Sequence, residues 1–212
     1  MAAPPEVNMK ALSGKFVMNK TISDPFEPIL ALQGVSWLVR KGISVATITL
    51  HVNYSAGPPV EIKIIQTVTG GLKGTTEVRT LDFNRREHTD HVFGHVAGRT
   101  RYLSPNTEIE SSILTKLADG SIDPTDVQFL SGKVLADGKM PTAGFLDEDE
   151  HTWIQSYVEN EEAKWTAEQV WGFEEIEGKR MYTRRVVVRK GGKEVKRARL
   201  VYDYLGEVEL TE

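Results

Sequence analysis

Apolar and polar residues alternate with a period of two from Ala46 to Tyr54. Ala46, Ile48, Leu50, Val52 and Tyr54 fall on one side, and Thr47, Thr49, His51 and Asn53 on the other. Such alternation is the mark of a strand with one buried face. Gly57-Pro58-Pro59 ends it, and strands follow over 60–69, 75–83 and 91–103, with Gly70-Gly71 between the first two. The same rhythm returns over 152–158, 164–173, 181–190 and 194–205, where Gly178 and Gly191-Gly192 mark tight turns. Residues 14–21 read as a first strand, and 127–135 as a further one. Successive strands joined by short polar breaks predict an antiparallel meander rather than βαβ units.

Two helices interrupt the pattern after the first strand. Asp24 as cap, Pro25 at the first helical position and Glu27 three residues on predict a helix start; Phe26, Ile29, Leu30 and Leu32 supply its apolar face, and Gly34 ends it. A second short helix is expected over 35–41, with Trp37 and Leu38 apolar and Arg40-Lys41 at the C-terminal end, where the dipole favours cations. Between 104 and 150 the strand rhythm stops. Thr107 with Glu110 forms a capping box; Ile109, Ile113, Leu114 and Leu117 lie at helical spacing; Gly120 closes the helix, and 147–150 is an acidic, solvated loop. Residues 1–12, with Pro4-Pro5, read as a loose leader, leaving 13–212 as one domain with an insertion at 104–150. About eight to ten strands in meander order leave two bare edges unless they curl and close. The expected architecture is therefore mostly β: a single antiparallel up-and-down β-barrel, capped at one end by the helix pair and wide enough inside for a ligand.

The 212 residues are 40% hydrophobic and 26% charged, an ordinary globular mix. A net charge of −4 argues against a global field for nucleic acid, and the absence of cysteine excludes disulfides and thiolate chemistry. No run resembles a signal peptide or a membrane span, so the expected compartment is the cytoplasm, without stable membrane insertion, and the sequons at Asn19 and Asn53 read as chance.

The helix pair ending in Gln33-Gly34-Val35-Ser36-Trp37-Leu38-Val39-Arg40-Lys41 resembles the helix-turn-helix lid of the intracellular fatty-acid-binding proteins, which lies between strands one and two as here. The stretch 62–83 is similar to that family's third and fourth strands, and 182–190 with 196–204 to its closing hairpin. Closer still is the resemblance to fungal lipocalin-like proteins of the same length. The resemblance implies a calycin-type barrel around a hydrophobic ligand, with no cofactor. The sequence departs from the carrier family in two respects: 104–150 has no counterpart there, and the family's carboxylate clamp needs an Arg and a Tyr two apart on the last strand. Arg199 and Tyr202 are three apart, on opposite faces of a regular strand.

His88, His91 and His95 invite a metal reading, but on a strand His91 and His95 lie roughly 13 Å apart, and His88 falls in the preceding turn. Trp165, Ala167, Gln169, Trp171 and Phe173 share one strand face; Trp153, Gln155 and Tyr157 share another. Either set serves as core, yet each includes a glutamine, whose amide needs partners that a wet or ligand-filled cavity supplies. These faces, with Tyr202, Tyr204 and the portal residue Trp37, are the candidate ligand contacts. Ten basic residues against Glu194 within 179–199 read as the solvated face of a terminal hairpin rather than a nucleic-acid patch. Gly70-Gly71-Leu72-Lys73-Gly74-Thr75 lacks P-loop spacing. No nucleophile motif is present, so catalysis would rest on acids, bases and confinement: His51, His95, Arg79, Arg101, Tyr157, Tyr202 and Tyr204 are the candidates. Two functions follow: binding of a hydrophobic lipid, polyketide or terpenoid-like molecule, or cofactor-independent isomerisation or cyclisation of such a metabolite in the same cavity. The chain leaves room for a homodimer.

Overall fold

The computed structural model describes residues 1–70, 74–103, 109–146 and 153–207. Ten antiparallel strands form one sheet: β1 (Gly14–Met18), β2 (Ile48–Ser55), β3 (Glu61–Val68), β4 (Thr75–Thr80), β5 (Arg86–Asp90), β6 (Gly94–Leu103), β7 (Trp153–Asn160), β8 (Trp165–Ile176), β9 (Lys179–Lys190) and β10 (Glu194–Gly206). Their order is β4-β3-β2-β1-β10-β9-β8-β7-β6-β5, so the first and last strands pair and the sheet curls into a nearly closed up-and-down barrel. The edges meet at β4 and β5 without a ladder between them; Phe83 N–H donating to the Thr100 carbonyl (3.0 Å) is one backbone bond across this gap. Among the described residues no helix is long and apolar enough to cross a membrane.

Between β1 and β2 stand α1 (Glu27–Leu32) and α2 (Trp37–Val45), which cap one end of the barrel. Phe26, not Asp24, occupies the N-cap of α1. Asp24 is drawn instead to β10, where its carboxylate accepts from Arg199 N–H (2.7 Å) and its own N–H donates to the Arg199 carbonyl (2.9 Å). Ser36 caps α2 by accepting from Val39 N–H, and the helix runs on past Lys41 to Val45. Lys20 Nζ ties its far end to β1 by donating to the carbonyls of Ile43 (3.0 Å), Ser44 (2.7 Å) and Ala46.

Several expectations fail, among them the helix closed by Gly120, of which only Ile109–Ser112 is helical among the described residues. Residues 127–135 begin within a helix, α4 (Pro124–Leu130), capped by Asp123 accepting from Thr125 N–H. The sixth strand starts at Gly94 rather than 91, because Asp90 turns the chain by accepting from the N–H groups of Val92 (2.6 Å) and Phe93 (2.9 Å). His88 thus lies in β5, a strand with no apolar residue and hence no periodic signal. The leader is not loose: Ala3, Val7, Met9 and Leu12 are buried against Phe16, Val52 and Tyr182, and Arg180 donates to the carbonyls of Ala3, Pro4 and Val7. It plugs the barrel at the end away from the helix pair. The capping-box residue Thr107, the acidic run 147–150 and Gly71 to Lys73 lie outside the described residues.

Described residues 109–146, which include α3 (Ile109–Ser112) and α4, cover the outer face of β7 to β10. Here Phe129 and Leu130 pack on Val170 and Val187. Gly172 admits Phe145: a Cβ there would stand 2.6 Å from the Phe145 ring and 2.8 Å from Trp153. Beside this apolar layer lie buried ion pairs. Arg185 meets Glu174 at 2.8 and 3.0 Å; Arg189 and Arg197 share Asp123 and Asp126 of the α4 cap. These arginines of the closing hairpin are therefore not a solvated face. The covering segment supplies the carboxylates for Arg189 and Arg197, and β8 supplies Glu174 for Arg185, as a buried cation requires.

Candidate functional site

Inside the barrel, beneath the helix pair, lies a cavity of about 190 Å³. Phe26, Ile29 and Leu30 of the α1 region with Ile43 of α2 roof it, and Val96, Val158, Trp165, Val186 and Leu200 form an apolar wall. Gln66, Glu77, Arg79 and His88 make a polar side at the gap between β4 and β5, and Gln169, Arg184 and Tyr202 add polar groups on β8, β9 and β10 beside the apolar ones. This division follows from the gap between β4 and β5. Strands there carry Glu77, Arg79 and His88 inward because the opening keeps that side wet, whereas β8 and β9, covered on both faces, bring mainly apolar groups.

Glu77 and Arg79 stand two apart on one face of β4, and Glu77 accepts from Arg79 Nε (3.0 Å) and Nη2 (2.5 Å). Gly98 leaves room for this guanidinium, since a Cβ would lie 3.2 Å from Arg79 Nη1. Burial pushes the Glu77 carboxyl up, but Arg79, Arg184 and His88 outweigh it and hold the pKa below the usual carboxylate range. Deeper in, the Arg184 guanidinium lies 4.1 Å from the Trp171 ring centre, 5.4 Å from Tyr182 and 5.6 Å from Tyr202. Its Nε donates to the Tyr182 hydroxyl (2.8 Å). Burial raises Tyr182 to about 12 and Tyr202 in the same direction, so both are neutral phenols at physiological pH. Trp171 Nε1 donates to Gln169 Oε1 (2.9 Å), which fixes the amide at the cavity wall. Such a chamber presents apolar surface at Trp165 and hydrogen-bonding groups at Gln169, Arg184 and Tyr202. Among the described residues it holds no aligned nucleophile and base.

No protein-family model matches the chain. It is 32% identical over 209 residues to the pericyclase pydY of an Acremonium species, covering 97% of this chain and 98% of that one. It is 30% identical over 208 residues to the probable pericyclase scpY of Mollisia scopiformis, at 97% and 95% coverage. The chain belongs to this family of fungal pericyclases. The chain's own fold is that of the fatty-acid-binding proteins, an up-and-down barrel. Among solved structures, the Schistosoma mansoni fatty acid binding protein in complex with arachidonic acid matches with a TM-score of 0.54 at 12% identity, covering 94% of this chain and 99% of the other. The Echinococcus granulosus fatty-acid-binding protein 1 matches with a TM-score of 0.54 at 14% identity, covering 93% and 100%.

In this pericyclase-family chain the sequence-derived candidates divide between the two faces of the sheet. Trp165, Gln169, Tyr202 and Arg79 reach the cavity, and Trp171 lies directly behind Gln169 and Arg184. Trp153, Gln155 and Tyr157 are on the outer face. Trp153 packs on Phe145, and Gln155 donates to the Ser112 carbonyl and to Glu168 (both 2.7 Å) and accepts from Arg101 Nε (2.7 Å). The glutamine amide there is satisfied by the covering segment, not by a cavity. Tyr157 lies under Arg99, and burial pushes its pKa to about 12. Trp37 is 62% exposed and does not line the chamber. His51 points away from the interior that Leu50 and Val52 enter, His95 is exposed near Glu87, and Tyr204 packs on Phe16 outside the chamber. Arg184, Glu77 and His88, which also line the chamber, went unnoticed in the sequence as chamber residues. Arg184 and Arg185 are adjacent on a strand buried on both faces, so alternation gives no sign of which one enters the barrel.

Proposed function

We propose that the protein encloses a hydrophobic metabolite bearing a conjugated polyene and catalyses a cofactor-free pericyclic ring closure of it inside the barrel. The observation that carries this reading is the end-to-end relationship to two pericyclases, at 30% and 32% identity. The site suits the reaction. A pericyclic closure turns π bonds into σ bonds with no proton, electron or leaving group transferred, so it needs a shaped chamber rather than a nucleophile. Holding both ends of a flexible chain in a near-reactive arrangement can lower the barrier by about 7–11 kcal/mol at the upper limit of such effects.

The outer segment favours catalysis over simple carriage. It clamps the strands that present Trp165, Gln169, Arg184 and Tyr202, through Phe129 and Leu130, the Phe129 and Val134 carbonyls that accept from Arg185, and the pairs of Asp123 and Asp126 with Arg189 and Arg197. A carrier gains little from a stiff wall, whereas a catalyst that works by shape depends on one. The test is incubation of the purified protein with linear polyenes carrying an activated alkene, monitored by loss of conjugated absorbance and by mass spectrometry. A product of unchanged mass, formed as one diastereomer and absent with heat-denatured protein, is expected. Polyenes bound tightly yet released unchanged would make the protein a carrier.

A further inference from the structure

Among the arginines of β9 and β10, Arg185, Arg189, Arg197 and Arg199 each meet a carboxylate. Arg184 meets none within ion-pair range among the described residues, although it is 92% buried (8% exposed). Glu77, the nearest influence of opposite charge, is engaged by Arg79. Arg184 spends Nε on a neutral phenol, and Nη2 is buried with no hydrogen-bond partner. A buried guanidinium with an unused N–H is costly to the fold, so something other than stability maintains it. Trp165, another residue of the chamber wall, likewise leaves its Nε1 buried and unpartnered. Both buried, unpartnered polar atoms of the wall are therefore N–H donors, and what they lack is an acceptor.

We infer that Arg184 is the oxygen-binding residue of the chamber, seating a carbonyl or enolate oxygen conjugated to the ligand's π system. The inference rests on the pericyclase reading for its substrate class but concerns binding, and it can be tested apart from turnover. The aromatic rings of Trp171, Tyr182 and Tyr202 hold the cation in place without neutralising it, as a carboxylate would. A hydrogen bond from this cation withdraws electron density from the conjugated carbonyl. It strengthens as charge builds on the oxygen during ring closure, so it stabilises the transition state more than the bound substrate. Arg184 thereby acts as an electrophilic group, with no proton transferred.

Three fluorescent probes of one shape separate the terms: trans-parinaric acid, its methyl ester and the matching tetraene hydrocarbon. The wild-type protein should bind the ester about ten- to a hundredfold more tightly than the hydrocarbon, the range expected of a charge-assisted hydrogen bond. The acid separates a charged acceptor from a neutral one: tighter binding than the ester points to an anionic enolate as the natural group, weaker binding to a neutral carbonyl. In Arg184→Met the ester-to-hydrocarbon ratio should collapse towards one, and Arg184→Lys should recover part of it. If Arg184→Met does not fold, the wild-type protein decides the matter: Arg184 side-chain N–H resonances should shift on adding the ester and not the hydrocarbon. An unchanged ratio in the variant, or resonances indifferent to the ester, overturns the assignment of Arg184 while leaving the cavity reading intact. Wild-type protein that binds none of the probes overturns both. A preserved ratio effect without ring closure of any polyene sinks catalysis alone.

Discussion

Replacing Glu174 by Gln tests whether its carboxylate holds in place Arg185, the buried arginine that ties the outer segment to the barrel. Glu174 is fully buried, and its Oε1 accepts from Arg185 Nε (2.8 Å) and the Thr183 hydroxyl (2.9 Å). Its Oε2 accepts from Arg185 Nη2 (3.0 Å) and Arg199 Nη1 (3.1 Å). Glutamine keeps the shape but leaves one oxygen for these donors and turns an N–H₂ towards a guanidinium. Arg199, with a 15% exposed side chain, can recover water; Arg185, at 0%, cannot. Removing one partner of such a buried pair costs about 3–5 kcal/mol. At roughly 2–4 °C per kcal/mol for a chain of this size, the midpoint should fall by about 6–20 °C. Arg185 also donates to the carbonyls of Phe129 (3.0 Å) and Val134 (2.6 Å), so amide exchange in 129–134 should quicken before the barrel melts. Thermal melts followed by circular dichroism, with exchange read by mass spectrometry, make the measurement. The exposed partner of Arg85, Glu161, provides the control, and Glu161→Gln should melt as the parent does. A loss under about 2 °C for Glu174→Gln would refute the reasoning, because the pair would then be no stronger than a surface contact.

Three further outcomes follow from the same geometry. Glu168 is buried, accepts from the N–H groups of Leu114 and Thr115, and has a pKa held above its ordinary 4.5 by burial. The folded chain keeps a proton that the unfolded chain releases, so this group makes stability fall as pH rises from about the ordinary value through the raised one, and level off above it; in melts at stepped pH, Glu168→Gln should lose that decline, and an unchanged profile refutes it. Gly172→Ala should lift Phe145 and Trp153 from β8 and cost about 1–3 kcal/mol in a denaturant titration, the range for overpacking. Gln169→Leu removes the acceptor of Trp171 Nε1 and an orienting group of the chamber; it should change the rank order of probe affinities while costing only about 1 kcal/mol of stability, and identical affinities would place the ligand elsewhere.

Much of the barrel was legible in the amino-acid order. Strands such as Ile48–Ser55, with one face buried, announce themselves by alternation, and the meander order with a helix pair after the first strand dictates a closed, capped sheet. Pattern reading failed where burial was not one-sided. Arg86–Asp90 is a strand with no apolar residue, because it borders the open, polar seam. Asp123 and Pro124 start a helix in a stretch whose Val, Phe and Leu suit a strand equally well. The leader's scattered Ala3, Val7, Met9 and Leu12 have no period, since a plug is shaped by the hole it fills.

What the sequence determined by itself, then, is the sheet, the lid and the apolar character of the interior, all consequences of local periodicity. Which face of β7 to β10 looks inward was decided only by tertiary structure, because residues 109–146 bury the outer face as thoroughly as the chamber buries the inner one. Period two separates two faces without saying which is inside, and with both covered, composition gives no second clue. That is why Gln155 and Gln169 look alike in the sequence, and why Arg185, clamped by Glu174, hid the neighbouring Arg184 that lines the chamber without a carboxylate.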